Sequence, residues 1–219
     1  MNVTAALMLK APRPGTVKTR LAIDVGAEQA AAIYRSLAEN QVRQIPANWR
    51  CAIHFAPQDA EEEMRDWLGP IAPPETIYRP QPEGDLGARL SHAVRTELAA
   101  AAEAIVLLGG DCPDIDTAVL RDVEARLSKA DAVIAPASDG GYVLLALKAD
   151  HPKLFENITW STAEVLTQTL ASAQACGLFV SITKTFQDVD DLKSFKLHHS
   201  RSQEVSIESP TVSIRHSQR

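Results

Sequence analysis

From Lys10 to Arg20 the chain reads KAPRPGTVKTR, which sets four cations, Lys10, Arg13, Lys18 and Arg20, around Gly15. Ammonium and guanidinium groups bind phosphate through charge-assisted hydrogen bonds, and a glycine turn lets backbone amides join them. The segment could cradle a polyphosphate; the plainer alternative is a solvated basic turn. It lacks the GxxxxGK[ST] spacing of the common phosphate loop. A second station is IVLLGGDCPDID, where Asp111 follows an apolar run and two glycines. Carboxylate oxygens suit Mg²⁺ or Mn²⁺, which take one or two carboxylates together with substrate phosphates. Asp114 and Asp116 fit helix capping better than metal binding. A third station is QDVDDL, with Asp188, Asp190 and Asp191. One of these could complete a metal site with Asp111, or the group could cap a closing helix, whose dipole favours acids at its start.

Two further stretches are candidate substrate contacts. In PASDGGY, Asp139, Gly140, Gly141 and Tyr142 form either a plain hairpin turn or a glycine loop lying against a sugar or acceptor. In QPEGDLGAR, Gln81, Gly84, Asp85 and Arg89 stand before a helix whose N-terminus could meet an anion or a base edge. Cys112 has no histidine near it in sequence, so it reads as a small buried residue rather than a nucleophile.

The elements that must position these groups alternate in type. Strands are expected at Val3–Leu9, Cys51–Ala56, Glu75–Tyr78, Ala104–Leu108, Asp131–Pro136, Tyr142–Leu147 and Leu178–Thr183. Helices are expected at Glu28–Ile45, Ala60–Leu68, Leu86–Ala102, Asp116–Leu127, Ser161–Ala175 and Asp190–Leu197. Asp116 is a plausible N-cap, Glu164 completes a capping-box pattern with Ser161, and Gly177 stops its helix. Alternation of this kind gives a mostly parallel sheet covered on both faces. In such sheets ligands bind at the carboxyl ends of the strands, where the basic loop and Asp111 both fall.

Composition narrows the field further. Hydrophobic residues make up 45% of the 219, as expected for a folded domain with a real core. The net charge of -6 argues against nucleic acid as a partner, because such binding needs a basic face. Cys51, Cys112 and Cys176 are widely spaced, with no CxxC pair, so zinc and disulfides are not expected. The apolar run before Lys10 is too short for a membrane span or a signal peptide, and a cytoplasmic location is expected. One domain is expected over 1–197, followed by a mobile tail over 198–219. The EVSIESPTVSI stretch in that tail alternates polar and apolar residues, so an added edge strand is its second reading.

The order of the motifs resembles one family. The basic KxPxxGxxKTRL loop, then QxxGDLGxR, GGDCPD, PASDGGY, WST and DVDD are similar to bacterial transferases of the glycosyltransferase-A, or nucleotide-diphospho-sugar transferase, fold. Members of that family are often encoded near radical-SAM or selenium-related proteins, and some are labelled arsenosugar-biosynthesis glycosyltransferases. The resemblance runs from about Leu7 to Leu192. It implies a three-layer α/β/α domain with a mostly parallel, mixed central sheet. It also implies that Lys10, Gly15, Lys18 and Arg20 contact nucleotide phosphates, that Asp111 binds the metal, and that Asp190 supplies a second ligand. The segment DVDDLKSF is shorter than the related DVDTPEDL, which leaves Asp188, Asp190 and Asp191 open for that second role. Trp160, Ser161 and Thr162 match the WST element, structural or on the acceptor side.

Three functions are compatible with this reading. In nucleotidyl transfer, an acceptor attacks the α-phosphorus of a nucleoside triphosphate. Mg²⁺ or Mn²⁺ on Asp111 and Asp190 polarises that phosphate, while Lys18 and Arg20 stabilise the departing pyrophosphate. In glycosyl transfer, the donor is a nucleotide-sugar and the metal neutralises the leaving diphosphate. The third is nucleotide binding without catalysis. The density of cations in the first loop favours nucleotidyl transfer to a small-molecule acceptor.

Overall fold

The computed structural model describes residues 1–207; residues 208–219, which hold much of the expected tail and most of its alternating stretch, lie outside the described residues. The strands are β1 (Val3–Lys10), β2 (Arg50–Ala56), β3 (Ile77–Pro80), β4 (Ala104–Leu108), β5 (Ala132–Pro136), β6 (Tyr142–Leu147) and β7 (Val180–Ile182). The helices are α1 (Thr19–Val25), α2 (Ala27–Arg43), α3 (Glu61–Leu68), α4 (Leu86–Ala99), α5 (Thr117–Leu127), α6 (Val165–Ala175) and α7 (Leu192–Ile207). A short 3₁₀ turn covers Pro152–Leu154.

The strands form one sheet in the order β3-β2-β1-β4-β6-β5-β7. β1 pairs in parallel with β2 and β4, and β2 with β3. β6 runs antiparallel between β4 and β5, and β7 returns parallel to β5. The mixed, mostly parallel sheet expected from the sequence is therefore present. The antiparallel strand is β6, because the short Ser138–Gly141 turn joins it to β5 as a hairpin, and a parallel connection needs a much longer crossover.

Alternation along each strand splits the core into two layers. Val3, Ala5, Leu7 and Leu9 of β1 point to one face with Cys51, Ile53 and Phe55 of β2, against Tyr34 and Ala38 of α2, Met64 and Leu68 of α3, and Leu120 and Leu127 of α5. Ala6 of β1, Ile105 and Leu107 of β4 and Ile134 of β5 face the other way, against Leu90, Ala93 and Val94 of α4 and Ala173 of α6. β4 is buried along its whole length, as its unbroken apolar run implies. Each such large side chain removed from water contributes about 1.5–3 kcal/mol before entropy is counted. A third, smaller cluster joins Leu21 of α1, Ile33 and Leu37 of α2, and Val189.

Three local features differ from the sequence expectation. α1 was not expected, although TRLAIDVG carries its signal: Leu21 and Val25 lie one turn apart, and Gly26 ends the helix. α6 begins at Val165, and no side-chain cap is formed at Glu164, because residues 161–164 turn around the β5–β6 hairpin instead. α7 extends beyond Leu197 to Ile207. Asp116 caps α5 as expected, accepting from the Val119 amide at 2.8 Å. No helix among the described residues is long and apolar enough to cross a membrane.

One buried polar knot braces the parallel half of the sheet. His54 of β2 is fully buried and lies with Nε2 3.1 Å from Glu97 Oε1 of α4, which also accepts from Arg79 Nε at 2.9 Å. Burial works against the charge on Glu97, but the hydrogen bonds and charges of His54 and Arg79 outweigh it and hold the carboxyl below its usual range. A carboxyl with a depressed folded pKa stabilises the fold above the unfolded value of about 4.3, and that stabilisation is lost as pH falls through the lower folded value. Glu97→Gln is expected to cost about 1.5–3 kcal/mol at pH 7, the range for hydrogen bonds to charged groups. It should also flatten the acid limb of the stability profile; urea denaturation at pH 7 and at stepwise lower pH measures both effects.

Candidate active site

The candidate side chains converge at the carboxyl end of β1 and β4. β4 ends at Leu108, and Gly109 and Gly110 turn the chain over the sheet. A Cβ at Gly110 would lie 2.6 Å from Leu9 Cδ2 and 3.0 Å from Ala38 Cβ, so only glycine lets the chain drop this close to α2. The turn delivers Asp111 to the rim of the sheet with its side chain 35% exposed.

Asp188 and Asp190 arrive from 77 and 79 residues further on, held by a backbone bond from the Val189 amide to the Asp111 carbonyl at 2.9 Å. Asp111, Asp188 and Asp190 each offer a carboxylate oxygen, and these oxygens lie within 4.8 Å of one another. Asp191 points elsewhere: its Oδ1 accepts from the Ser194 amide and hydroxyl, both at 2.7 Å, as the first turn of α7 begins. The choice left open by the sequence therefore divides by geometry. Asp188 and Asp190 stand with Asp111, and Asp191 caps the helix.

Lys18 is the cation of the cluster. Its side chain is 5% exposed, and Nζ donates to Asp111 Oδ2 at 3.1 Å and to Asp190 Oδ1 at 2.6 Å. Burial alone would depress the ammonium, but the charges and hydrogen bonds of Asp111 and Asp190 outweigh it and raise its pKa. Asp188 has no hydrogen bond from this ammonium. Burial, then repulsion from Asp190, Asp111 and Asp139, pushes its carboxyl up to about 6. Lys18 also holds left-handed backbone at φ 45°, which is strained for a residue with a Cβ, and it starts α1 by accepting the Ala22 amide at its carbonyl. Ser161, across the site, has φ 65°.

Two cavities open on this cluster and share Met8 and Asp111. The first, about 290 Å³, is lined by Lys10, Thr16, Val17, Lys18, Thr19, Arg20, Tyr34 and Asp190. Tyr34 anchors its floor by accepting the Lys10 amide at 2.8 Å. The second, about 320 Å³, lies on the α4 and α6 side and includes Asp139, Gly141, Tyr142, Trp160, Ser161, Thr162 and Asp188. Gly140, at φ 94°, packs against Ala163; a Cβ there would sit 2.3 Å from the Ala163 carbonyl oxygen. The turn is both a hairpin and a cavity wall, and Asp139 Oδ1 rigidifies it by accepting the Gly141 amide at 2.9 Å.

The other residues singled out in the sequence have different neighbours. Arg13 turns from the loop to α3, donating to Glu63 at 2.9 Å with Asp59 at 3.7 Å. Gly15 forms the exposed apex at φ 80°. Gln81 is buried and uses its amide to tie strand ends, donating to Leu9 O at 3.2 Å and His54 O at 2.7 Å. Asp85 caps α4 through the Ala88 amide, and Arg89 donates to the Gly84 carbonyl. Cys112 is buried, and burial pushes its thiol up to about 12, which suits a core residue and not a nucleophile. The apolar wall of the second cavity, Met8, Leu86, Leu90, Val143 and Val165, was not singled out as site residues, since nothing in its spacing separates it from ordinary core.

The arrangement is a cationic groove meeting a carboxylate cluster where the strand order reverses between β1 and β4, at the carboxyl edge of the sheet. The fold is that of the nucleotide-diphospho-sugar transferases. The chain belongs to the family described as "Uncharacterized protein conserved in bacteria (DUF2064)", whose pattern it matches over residues 40–162. No curated protein matches it in sequence. Among solved structures, it is similar to a protein of Desulfovibrio desulfuricans G20 assigned as a nucleotide-diphospho-sugar transferase. The two share 28% identity over 96% of this chain and 92% of that one, with a TM-score of 0.87. The fold is shared with 4-diphosphocytidyl-2C-methyl-D-erythritol synthase of Anaerococcus prevotii DSM 20548 (10% identity, 92% and 99% of the two chains, TM-score 0.61). It is shared too with Rv0371c of Mycobacterium tuberculosis H37Rv, solved as a manganese complex (15% identity, 90% and 97%, TM-score 0.53).

Lys18→Met removes the charge at similar volume and leaves three carboxylates facing one another. In the metal-free protein it is expected to lower stability by about 1–3 kcal/mol, less than a fully buried pair because Asp111 and Asp190 are partly exposed. The double variant Lys18→Met/Asp190→Asn should recover part of that loss. Urea denaturation of the four proteins in a double-mutant cycle reads the coupling.

Proposed function

We propose that the chain is a divalent-metal-dependent nucleotidyltransferase that takes a nucleoside triphosphate and a small-molecule acceptor. The observation that carries this reading is the groove lined by Lys10, Lys18 and Arg20, which ends on Asp111 and Asp190. A triphosphate brings about four negative charges, and such a run of cations is more than a single metal-neutralised diphosphate needs.

The carboxylates fit a divalent ion. Ligand oxygens of one Mg²⁺ span at most about 4.2 Å, so Asp111, Asp188 and Asp190, within 4.8 Å, need only small side-chain adjustments to hold Mg²⁺ or Mn²⁺. When bound, such an ion supplies Lewis-acid polarisation of a phosphoryl oxygen. The chain's own residues have the remaining tasks. Lys18 must share or release its two carboxylates, and phosphate oxygens offer its ammonium a replacement partner. Lys10 and Arg20, exposed at the groove's mouth, meet the outer phosphates and stabilise pyrophosphate as it leaves. Gly15 keeps the loop apex clear of side chain where the ligand enters. The strain held at Lys18 supports a positioning role, since strained backbone clusters at such sites.

A second reading is glycosyl transfer from a nucleotide-sugar. The likeness to the Desulfovibrio protein favours it, since that protein is assigned to the transferases of such donors. The two readings part on the ligand. A thermal-shift panel of the four common nucleoside triphosphates and a set of nucleotide-sugars, each with Mg²⁺ or Mn²⁺, separates them. Nucleotidyl transfer predicts metal-dependent stabilisation by a triphosphate. Lys18→Ala, Arg20→Ala and Asp111→Asn should each weaken that stabilisation, and turnover should drop by about 100-fold or more, the scale of losing one transition-state contact. Stabilisation by nucleotide-sugars alone would transfer the assignment to glycosyl transfer. Unchanged triphosphate binding in Lys18→Ala and Arg20→Ala would remove the basis for both roles given to the groove.

A further inference from the structure

The two cavities meeting at Asp111 are chemically opposite. The groove of Lys10, Lys18 and Arg20 is built for anions. Among the described residues, no Lys, Arg or His lines the second cavity; its charged groups are Asp111, Asp139 and Asp188. Its walls are mostly carbon. Leu90 comes from α4, Met8 from β1 and Val165 from α6, and Leu86 at the start of α4 stands 44% exposed at the opening. Tyr142 and Trp160 meet edge-to-face, with ring centroids 6.4 Å apart at 78°. Both rings keep their polar atoms out of the cavity. The Tyr142 hydroxyl is buried beside Thr169 on α6, and Trp160 Nε1 is buried close against Gly87. Thr162 Oγ1 donates to the Thr159 carbonyl at 2.7 Å.

A phosphate or carboxylate placed here would desolvate beside like charges and meet no cation of the chain. A divalent ion and Lys18 together would bring three positive charges against the four carboxylates Asp111, Asp139, Asp188 and Asp190, so the surplus at this end stays negative. An apolar body would cover Leu86 and the two rings, and a hydroxyl or amine could donate to the carboxylates at the Asp111 end. We infer that this second cavity receives the acceptor, and that the acceptor is a non-anionic alcohol or amino alcohol with an apolar portion, not a sugar phosphate or an acid. This rests on the proposed function for the role of the cavity and narrows it to one acceptor class. A cavity of about 320 Å³ is at the small end of ligand pockets, which suits a body of one ring or a short chain.

The test pairs alkyl and aryl β-glucosides with their 6-phosphate esters and measures dissociation constants by calorimetry, with Mg²⁺ and inorganic tripolyphosphate as a base-independent probe of the basic groove. The neutral member of each pair is expected to bind at least tenfold tighter than its ester. Leu86→Lys, which puts a cation at the exposed rim, should narrow that ratio by roughly threefold to fivefold, the scale of one exposed charge pair. It should leave tripolyphosphate affinity as in the parent chain. Preference for the esters, or binding of neither member, overturns the acceptor class. Loss of tripolyphosphate binding in the parent chain would instead undo the nucleotide reading, and the glucoside ratio, measured also without tripolyphosphate, keeps the two failures apart.

Discussion

The site depends on one interaction: a buried ammonium held between two carboxylates from distant parts of the chain. Lys18 reaches Asp111 across 93 residues and Asp190 across 172. Three carboxylates this close would repel one another strongly in a partly dry setting, and their cluster would spread or protonate. Lys18 prevents this for two of them, and the third, Asp188, shows the remaining cost as a carboxyl pushed up to about 6. The cluster is therefore kept compact but left short of positive charge. That shortfall is the opening for the divalent ion in the proposed reaction.

The surrounding structure serves that arrangement. Lys18 can reach inward because Val17 before it is buried and because α1 starts at Lys18 itself, with Leu21 anchored against α2. Asp111 is fixed by the close approach of Gly110 to Leu9 and Ala38. The segment carrying Asp188 and Asp190 is stitched to it through Val189, whose amide meets Asp111 and whose side chain is buried in the cluster of α1 and α2. The Asp191–Ser194 cap then turns the chain away into α7. Covalent order places these parts far apart, but a few backbone bonds and one small apolar cluster make them a unit.

The β5–β6 hairpin gives the second half of the site its distinct character. By inserting β6 antiparallel beside β4, it sets the Asp139–Tyr142 turn next to Asp111, where a purely parallel sheet would carry another crossover helix. The result is an apolar chamber on one side of Asp111 and a cationic groove on the other. In the proposed reaction two unlike molecules meet at one point, and this asymmetry would divide them by charge.

Much of this was legible in the chain alone. Strand and helix alternation, the buried run of β4, the basic loop after β1 and the aspartate after β4 follow from hydrophobic period and residue type, which act locally. The mostly parallel sheet was expected for the same reason, and its mixed character was implied by the family resemblance. What the sequence could not resolve were the choices made in three dimensions. Four cations in one loop read as equivalent, yet Arg13 pairs with Glu63 while Lys18 turns inward, because α3 lies beside the first and the carboxylates beside the second. Gln81 reads as a ligand contact, yet its amide ties two strand ends that are 45 residues apart. Asp188, Asp190 and Asp191 are adjacent and chemically alike, and only the start of α7 separates the cap from the two that face Asp111. Residue type sets what a side chain can do; the packing of segments distant in sequence decides which charge it meets, and that second step has no local period to read.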